Sequence, residues 1–321
     1  MSGATPPAAA PASGHGPGGR RRIAILINPA ARQGRERERI EHAVAELGRR
    51  AELTLVSPDS DEATEDEARA LAATHDIVVA AGGDGTVHRV LNGLAGTGTP
   101  IGVLPFGTGN DFARAFGLPR DPAAAAARVL DGEPFAADLV EVNGRLFGTV
   151  GVLGVGADSA IAVSRWMSDA GAGGAVARRL GGWTYRLAGL AQLLRPRAAV
   201  VSLSVSTDGG PPSGPCDAHA AFVTNGAMLG GGLRLPVGVR LDDGAFEVCL
   251  VPRTSRIRLM WAFVCFAQGW RLPEGVLSIT RASTAEIRTP APVAFAADGE
   301  TVCVGCRFTL TAHRHAVRVI C

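Results

Sequence analysis

The segment from Ala80 to Val87, which reads AAGGDGTV, restricts the fold of this chain more than any other feature. The apolar run at residues 76–81 predicts a buried strand, and the apolar periodicity of residues 87–94 predicts a helix. Glycines between a strand and a helix let backbone N–H groups approach an anion, and the helix N-terminus adds its positive dipole end. A carboxylate in this turn, Asp84, favours a divalent cation or a hydroxyl that must be deprotonated over plain anion binding.

A second turn of the same kind follows. Residues 101–104 predict another short buried strand, and the glycine-rich segment 105–111 leads from it into a helix start at 112–114. In a parallel sheet, consecutive strand-to-helix loops meet at the carboxyl edge, so both turns can face one ligand. One glycine cluster alone is equally consistent with a tight turn, but two neighbouring clusters and a third strand exit at Asn28 favour a ligand site.

Composition limits the chemistry. The chain has 321 residues, of which 46% are hydrophobic, enough for two medium-sized domains with separate cores. Its net charge of +2 gives no general attraction to nucleic acid. All 32 basic residues are arginine, which excludes a Walker-type P-loop and a pyridoxal Schiff base, since both need lysine. Glycine backbone, arginine and metal must therefore handle any phosphate.

The termini and cysteines favour a cytoplasmic protein. Residues 1–20 are rich in Ala, Pro and Gly, are followed by arginines up to Arg22, and predict a disordered tail rather than a secretory signal. The six cysteines are scattered, and the lone CxxC at Cys303 and Cys306 lacks the second pair that a zinc site needs. Free thiols are the favoured interpretation.

No apolar stretch reaches the roughly 20 residues that span a bilayer. The longest stretch near the C-terminus covers residues 259–267 and is flanked by Arg256, Arg258 and Arg271. It fits either a core helix or a helix on a membrane surface, and the sequence alone favours the core. Peripheral membrane association therefore stays open.

Alternating strand and helix patterns predict an α/β fold with two domains. Residues 21–134 predict a doubly wound, Rossmann-like nucleotide-binding domain with a parallel sheet. Residues 135–321 show many short strand-like runs and predict a mostly antiparallel β-sandwich, interrupted by helical insertions near 160–194 and 256–268. The closing segment 307–319 is expected to return to the first domain, and the ligand cleft is expected between the two domains.

Four acidic or glycine-rich turns in the second domain are candidates for chemistry. Asp158 follows a glycine pair, and Asn225–Gly226 precedes three glycines; both fit either plain turns or a ligand-facing path. The segment 241–244 fits a hairpin turn or a hard-cation site around Asp243. Asp298 ends a buried strand, where burial would raise its pKa and suit it to accept a proton. The same Asp-Gly-Glu tripeptide at residues 131–133 follows a helix and predicts only a linker.

These motifs together resemble the diacylglycerol kinase catalytic-domain family, over about residues 21–321. The match is carried by Asn28–Pro29, Gly82 to Thr86, Gly107 to Arg114, Leu241 to Gly244, and Asp298 to Glu300, in that order. The chain looks like the bacterial soluble lipid kinases, relatives of sphingosine and ceramide kinases. It departs from the usual family pattern after Thr86, where His88–Arg89 replaces Asn-Glu.

The resemblance implies transfer of a phosphoryl group from ATP, with Mg²⁺, to a lipid hydroxyl. It implies that the nucleotide is held by Asn28, Gly82, Gly83, Asp84, Gly85, Thr86, Val87 and His88 from the first turns. It assigns the same role to Thr108, Gly109 and Asn110 from the second turn, and places Glu300 near the nucleotide or its metal. Asp298 would take the proton from the acceptor hydroxyl, and Asp158 would contact the lipid headgroup. Asp243, with the carbonyl groups of Arg240 and Ala245, would form a structural magnesium site.

The implied partner is a lipid substrate at a membrane surface, with no nucleic acid; a homodimer is left open. One alternative is a kinase of NAD or of another hydrophobic alcohol, because NAD kinases share the Gly-Asp-Gly-Thr turn. Another is a nucleotide-binding regulator without catalysis, because Arg89 places a cation where the family has an acid.

Overall fold

The computed structural model describes residues 19–28, 35–154, 157, 200–229, 233–235 and 238–321. The chain divides into two compact units. Unit 1 consists of three segments: the residues up to Gly107, Phe116–Ala137 and His315–Cys321. Unit 2 consists of Thr108–Ala115 and Asp138–Arg314. The sequence places the division at 134/135, and the structure places it at 137/138. The predicted insertion at 160–194 lies outside the described residues.

Unit 1 alternates strands and helices. Its elements are β1 (Arg21–Ile27), α1 (Arg35–Gly48), β2 (Ala51–Val56), α2 (Asp61–Ala72), β3 (Ile77–Gly82), α3 (Asp84–Leu94), β4 (Ile101–Pro105) and α5 (Pro122–Asp131), with α4 (Asp111–Ala115) between the last two but counted in unit 2. Ser60 caps α2 and Asp121 caps α5, each accepting a hydrogen bond from a first-turn N–H.

The strands of unit 1 pair in parallel in the order β2-β1-β3-β4. All residues of β3 and β4 are buried, as expected for strands covered by helices on both faces. One face carries the core of Ile25, Val79 and their neighbours, packed against Leu47 of α1 and Val129 of α5. This architecture agrees with the predicted α/β alternation.

Helices α2 and α3 pack closely at a glycine. A Cβ on Gly93 would lie 2.7 Å from the Cβ of Ala68 and would collide with the carbonyl oxygen of Glu65. Only glycine lets these two helices approach so far. The Gly93 position in the helix is therefore explained by packing, and needs no ligand.

The last residues of the chain belong to unit 1. Val319 lies opposite Ile101 of β4 in a parallel pair, and Ile320 joins the core. Glu133 and Cys321 exchange backbone hydrogen bonds of 3.1 and 3.0 Å. The sequence predicts a returning segment here.

Unit 2 consists mainly of antiparallel strands. Its elements are β5 (Pro134–Val142), β6 (Arg145–Phe147), β7 (Val150–Gly154), β8 (Val201–Thr207), β9 (Cys216–Thr224), β10 (Met228–Leu229), β11 (Leu233–Arg234), β12 (Phe246–Pro252), α6 (Arg256–Gln268), β13 (Ser278–Ala282), β14 (Thr284–Ala297) and β15 (Glu300–Ile320). Strand β5 begins, and β15 ends, in unit 1.

Strand β9 is central in unit 2, pairing with β7, β8 and β12, and β14 pairs with β7, β8 and β15. Four phenylalanines fill the core, and the rings of Phe295 and Phe308 lie 5.5 Å apart. The aromatic rings supply much of the buried apolar area that stabilises this unit.

Two predicted strand boundaries are wrong. The apolar run at residues 146–153 predicts one strand, but it is broken at Gly148–Thr149, where the backbone N–H groups turn to a carboxylate instead of the sheet. The runs at 284–288 and 293–296 predict two strands, but they form one strand, β14, whose register shifts between Arg288 and Val293. Pro290 and Pro292 cause this irregularity because proline offers no N–H to the ladder.

The cysteines are free thiols, and burial raises the pKa of the Cys249 thiol to about 12. Among the described residues, no helix combines the length and the apolar character that a bilayer crossing requires.

Candidate functional site

The two glycine turns of unit 1 meet backbone to backbone. Gly82 ends β3, Gly83 caps α3, and Gly107 follows β4. A Cβ on Gly83 would lie 3.2 Å from the Cα of Gly107, closer than an ordinary contact. The N–H of Phe106 also donates to the carbonyl oxygen of Gly82 at 2.9 Å. The predicted convergence of the two loops is thus present at this edge of the sheet.

Asn28 joins this group. Its N–H donates to the carbonyl oxygen of Ala81 at 3.2 Å, and its side-chain amide donates to the hydroxyl of Thr86 at 3.2 Å. Thr86 is buried, and a Cβ on Gly82 would collide with its hydroxyl. Residues 29–34, the rest of the Asn28 loop, lie outside the described residues. The exit of β1 is therefore fixed to the glycine turn by one side-chain bond.

Helix α3 begins earlier than the sequence predicts. It starts at Asp84 rather than at Val87, and Gly83 supplies its extended N-cap with φ −93° and ψ −170°. Asp84 is therefore in the first helical turn, where the helix dipole favours a negative charge. The first N–H groups of any helix lack partners within that helix, which makes this end suitable for phosphate oxygens.

Two predicted nucleotide-binding residues point inward. Val87 and His88 are 3% and 5% exposed, and the N–H of Val87 donates to the carbonyl oxygen of Gly83 at 3.1 Å. The side-chain amide of Asn92 donates to the carbonyl oxygen of His88 at 2.8 Å. Both residues support the helix that carries the glycine turn, while Arg89 is half-buried.

The second glycine turn continues into unit 2 as a tightly bonded loop. Asn110 is buried and has φ 51°, a left-handed conformation that asparagine tolerates. Its carbonyl oxygen accepts from the N–H of Arg114 at 3.0 Å, and the Arg114 guanidinium donates to the carbonyl oxygen of Gly109 at 3.1 Å. These bonds fix the loop of Thr108, Gly109 and Asn110 at the start of α4.

Asp298 occupies the turn between β14 and β15. The turn residues Asp298 and Gly299 have φ 49° and 87°, and the flanking Ala297 and Glu300 pair across the two strands. Positive φ at both central residues is the signature of a type I′ hairpin turn, for which Asp-Gly is a preferred sequence. The Asp-Gly pair therefore has a structural reason besides any chemical one.

The Asp298 carboxylate accepts three hydrogen bonds from one short segment. The N–H of Gly148 donates to Oδ2 at 2.9 Å, and Thr149 donates to Oδ1 through its N–H at 2.9 Å and its hydroxyl at 2.6 Å. Donors of this kind favour the ionised carboxylate. The sequence predicts burial of Asp298, but it does not reveal these donors, because Gly148 and Thr149 lie inside an apolar run.

Asn225 supports the same segment from the other side. Its side-chain amide donates to the carbonyl oxygens of Asp138 and Gly148 at 2.8 and 3.0 Å. Its backbone N–H donates to the carbonyl oxygen of Thr149 at 2.8 Å. Asn225 is 1% exposed, and its Oδ1 has no protein partner among the described residues. The Asn225–Gly226 turn is therefore a structural support for the donors to Asp298.

The buried acid Asp138 is a second residue that the sequence analysis missed. It is 1% exposed, its Oδ2 accepts from the N–H of Gly244 at 2.5 Å, and its N–H donates to the carbonyl oxygen of Leu241 at 2.7 Å. Asp138 thus holds the 241–244 loop. It sits within the strand sequence AADLVEV, and only the presence of an acid directly between apolar residues could have marked it.

The predicted magnesium site at Asp243 contains an arginine. One Asp243 oxygen lies 2.6 Å from the Arg281 guanidinium, and the other accepts from the N–H of Ala245 at 3.2 Å. The Arg240 side chain pairs with Asp242 instead. These residues do not fit a resident divalent cation, because Arg281 already supplies the positive charge beside the carboxylate. Among the described residues, no three His, Cys, Asp or Glu side chains cluster as a metal site.

Arg281 also lies near a second acid. Glu247 is 8% exposed and receives a 3.4 Å hydrogen bond from Thr224. Burial raises the pKa of Glu247, the nearby Asp243 raises it further, and Arg281 lowers it. The arginine therefore balances the two carboxylates.

Of the two remaining predicted site residues, the structure describes Glu300 but not Asp158. Glu300 is half-buried at the first position of β15, next to the Asp298 turn. Asp158 lies outside the described residues.

Comparison with known proteins identifies both halves of the chain. Residues 22–142 match the family described as "Diacylglycerol kinase catalytic domain", and residues 168–321 match the "YegS C-terminal NAD kinase beta sandwich-like domain". A protein named "Diacylglycerol kinase" from Mycobacterium tuberculosis is 32% identical over 293 residues, covering 88% of this chain and 89% of the relative. A Pseudomonas aeruginosa protein named "Probable lipid kinase YegS-like" is 36% identical over 222 residues, covering 67% of this chain and 68% of the relative.

A solved structure shares the fold. A diacylglycerol kinase from Bacillus anthracis str. Sterne superimposes with a TM-score of 0.70 and 19% sequence identity. The match covers 94% of this chain and 97% of the other.

Proposed function

Because this chain belongs to the diacylglycerol kinase catalytic-domain family, we propose that it transfers the γ-phosphoryl group of ATP to the hydroxyl of diacylglycerol or a similar lipid. The observation that carries the proposal is the backbone contact between Gly83 and Gly107 at the start of α3. Two glycine turns and a helix N-terminus meeting at one point form a surface of N–H groups suited to phosphate oxygens.

ATP enters as its magnesium complex, so the metal is part of the substrate. In phosphoryl transfer, positioning and neutralisation of charge supply most of the catalysis. Asn28 and the turn from Gly82 to Thr86 hold the phosphates in unit 1, and Thr108 to Asn110 hold the nucleotide from the second turn. The rigid bonds of Asn28 to Thr86 and of Arg114 to Gly109 keep these groups in place before the substrate arrives.

Asp298 accepts the proton of the acceptor hydroxyl. The hydroxyl oxygen forms a bond to the γ-phosphorus while the bond from that phosphorus to the bridging oxygen breaks, and ADP leaves with the electron pair. The three donors from Gly148 and Thr149 hold the Asp298 carboxylate in a fixed orientation before the transfer.

The decisive experiment offers three acceptors in parallel to the purified protein with magnesium and γ-labelled ATP. Diacylglycerol, ceramide and NAD are supplied separately, and the labelled product is separated by thin-layer chromatography. Label in a phospholipid made from diacylglycerol or ceramide supports the proposal. Label only in NAD overturns the lipid assignment, and ATP-dependent thermal stabilisation without any transfer indicates a regulator.

A glycine variant directly tests the role of the contact between Gly83 and Gly107. Gly83→Ala places a Cβ 3.2 Å from Gly107 and should weaken ATP binding at least tenfold, about 1.4 kcal/mol. Gly48→Ala is a matched control, because its Cβ would make only an ordinary contact of 3.5 Å with Leu53. Calorimetric titration with ATP measures both variants. Equal affinities would remove the phosphate-binding role of this turn.

A further inference from the structure

Helix α6 is apolar on two sides, and only one side is covered. Leu259, Ala262 and Cys265 are 8%, 4% and 3% exposed, and Leu259 packs with Val251 and Phe263. This covered side attaches the helix to unit 2. The sequence predicts a core helix here, and this side of α6 agrees with that prediction.

The opposite side of α6 faces solvent. Its residues follow the helical spacing i, i+3, i+4 and i+7, so they form one continuous stripe. Trp270 extends the stripe beyond the left-handed cap at Gly269, and its ring lies 6.1 Å from that of Trp261. We call this surface the tryptophan face; it consists of Ile257 (84% exposed), Met260 (37%), Trp261 (54%), Val264 (41%) and Trp270 (56%). The favoured core interpretation is therefore wrong for this half of the helix.

A continuous apolar surface of this kind marks a contact with something outside the chain. Isolated exposed apolar residues are common, but here five lie together and two are tryptophans. Tryptophan prefers the boundary between water and hydrocarbon, because its ring is apolar and its N–H is polar.

The chain segment that carries the tryptophan face has only positive charges. Between Pro252 and Pro273 the chain carries four arginines and no acidic residue. Arg253 pairs with Asp217 at 3.2 Å, and Arg258 donates to the carbonyl oxygen of Glu274. Arg256 lies at the start of α6 and Arg271 directly follows Trp270, so arginines border the apolar stripe at both ends.

We propose that the tryptophan face docks on an anionic phospholipid bilayer, with the tryptophans at the level of the headgroups and the arginines against lipid phosphates. Basic residues near an anionic membrane surface are attracted to the lipid phosphates and strengthen the attachment. Helix α6 has 13 residues, about 20 Å at 1.5 Å per residue, so it lies in the surface rather than crossing the membrane.

A second copy of the chain is the less favourable occupant. A symmetric dimer through this face would bring Arg256 and Arg271 of one protomer close to the same two residues of the other. Like charges around an apolar contact oppose association, whereas anionic lipid headgroups attract them.

The inference concerns binding and goes beyond the proposed kinase activity, so its first test omits nucleotide. The protein is sedimented with vesicles of phosphatidylcholine alone or mixed with phosphatidylglycerol. The double variant Ile257→Ser, Trp261→Ser should lose at least tenfold in affinity for the mixed vesicles. Leu55→Ser is the matched control, since Leu55 is a 51% exposed apolar residue of unit 1. Arg256→Gln with Arg271→Gln should abolish the preference for the anionic lipid.

Three results overturn the inference: no binding of the unaltered protein to mixed vesicles, equal binding of the double variant, or a dimer in light scattering that the double variant dissolves. A separate assay keeps docking and catalysis apart. With a short-chain diacylglycerol dissolved in water, the double variant should turn over at the unaltered rate, and with vesicle-borne diacylglycerol its rate should fall. Failure of the proposed kinase function would abolish both rates and leave vesicle binding intact.

Discussion

Two Asp-Gly turns of unit 2 have nearly the same local structure. Asp208–Gly209 has φ 49° and 72°, and Asp298–Gly299 has φ 49° and 87°. In each turn, the carboxylate accepts hydrogen bonds from two backbone N–H groups and one hydroxyl of a neighbouring segment. The same turn chemistry explains both aspartates, so an Asp-Gly turn by itself does not identify a catalytic acid.

The partners of Asp208 show the resemblance in detail. Its Oδ1 accepts from the N–H of Ser283 at 2.8 Å, from the Ser283 hydroxyl at 3.0 Å, and from the N–H of Thr284 at 2.9 Å. The N–H of Asp208 donates back to the carbonyl oxygen of Thr284 at 2.9 Å. In the same way, the N–H of Asp298 donates to the carbonyl oxygen of Val150 at 3.1 Å.

The two turns differ in their surroundings. Ser283 and Thr284 are exposed, whereas Gly148 and Thr149 are buried and are themselves held by Asn225. Water can replace a lost acceptor at Asp208, but not at Asp298. Stability alone therefore cannot separate a structural from a catalytic Asp298, and the decisive comparison is the turnover of matched variants.

The largest expected difference is in turnover. Asp298→Asn should reduce kcat by about 10²- to 10⁴-fold, because the proposed general base is lost, while Asp208→Asn keeps the original rate. Label transfer to diacylglycerol measures kcat, and ATP-dependent thermal stabilisation shows that Asp298→Asn still binds nucleotide. Similar turnover in the two variants would leave Asp298 with a structural role only.

The next largest difference is expected when the hydroxyl donor of each aspartate, Thr149 or Ser283, is removed. Thr149→Val removes the 2.6 Å bond to Asp298 and should lower kcat roughly tenfold, as expected for one hydrogen bond to a charged group. The KM for ATP should stay unchanged, and Thr149→Ser should restore the rate. Ser283→Ala, the corresponding change at Asp208, should have no kinetic effect. If both variants behave alike in a steady-state assay, Thr149 does not position the base.

Stability should show a smaller contrast. Asp298→Asn places an amide group against buried N–H donors and should cost about 1–3 kcal/mol in the free energy of unfolding. Asp208→Asn should cost less, because water reaches its donors. Urea unfolding of both proteins measures the difference, and equal costs would argue against the burial contrast.

The glycines of the two turns should respond equally. Gly209→Ala and Gly299→Ala each place a Cβ at positive φ, which costs about 1–2 kcal/mol. The same unfolding experiment detects these losses. A large difference between the two would mean that something besides backbone conformation constrains one of the glycines.

The smallest effect is in the acid dependence of stability. The N–H groups of Thr284 and Ser283 lower the pKa of Asp208 in the folded protein, so its ionised form is stabilised by folding. This contribution is fully present above the unfolded pKa of about 3.9 and is lost as the pH falls through the folded value. The stability difference between the unaltered protein and Asp208→Asn should therefore shrink on acidification, and a constant difference would contradict the assignment.

The glycine turns could be predicted because their requirement is local. Gly83 and Gly107 approach more closely than side chains allow, and a strand before and a helix after are visible as apolar patterns. The support of Asp298 could not be predicted in the same way. Its donors at residues 148 and 149 lie 150 and 149 positions away in the chain and are hidden in an apolar run.

The two faces of α6 show a different limit. Both faces are apolar, so the sequence does not tell which one the rest of the chain covers. Leu259 and Trp261 are both apolar enough for a core position. Only tertiary packing determines that Leu259 is buried and Trp261 is exposed. The ion pair of Asp243 with Arg281 is likewise a product of strand pairing between β12 and β13.

The return of residues 315–321 to unit 1 bears on how the protein is made. During translation, β1 to β4 leave the ribosome first, yet the partner of Ile101 is Val319, which emerges only after the whole of unit 2. Until then the edge of β4 that Val319 covers is open to other nascent chains. Vectorial synthesis thus delays the closure of the unit 1 sheet until the whole of unit 2 has been made.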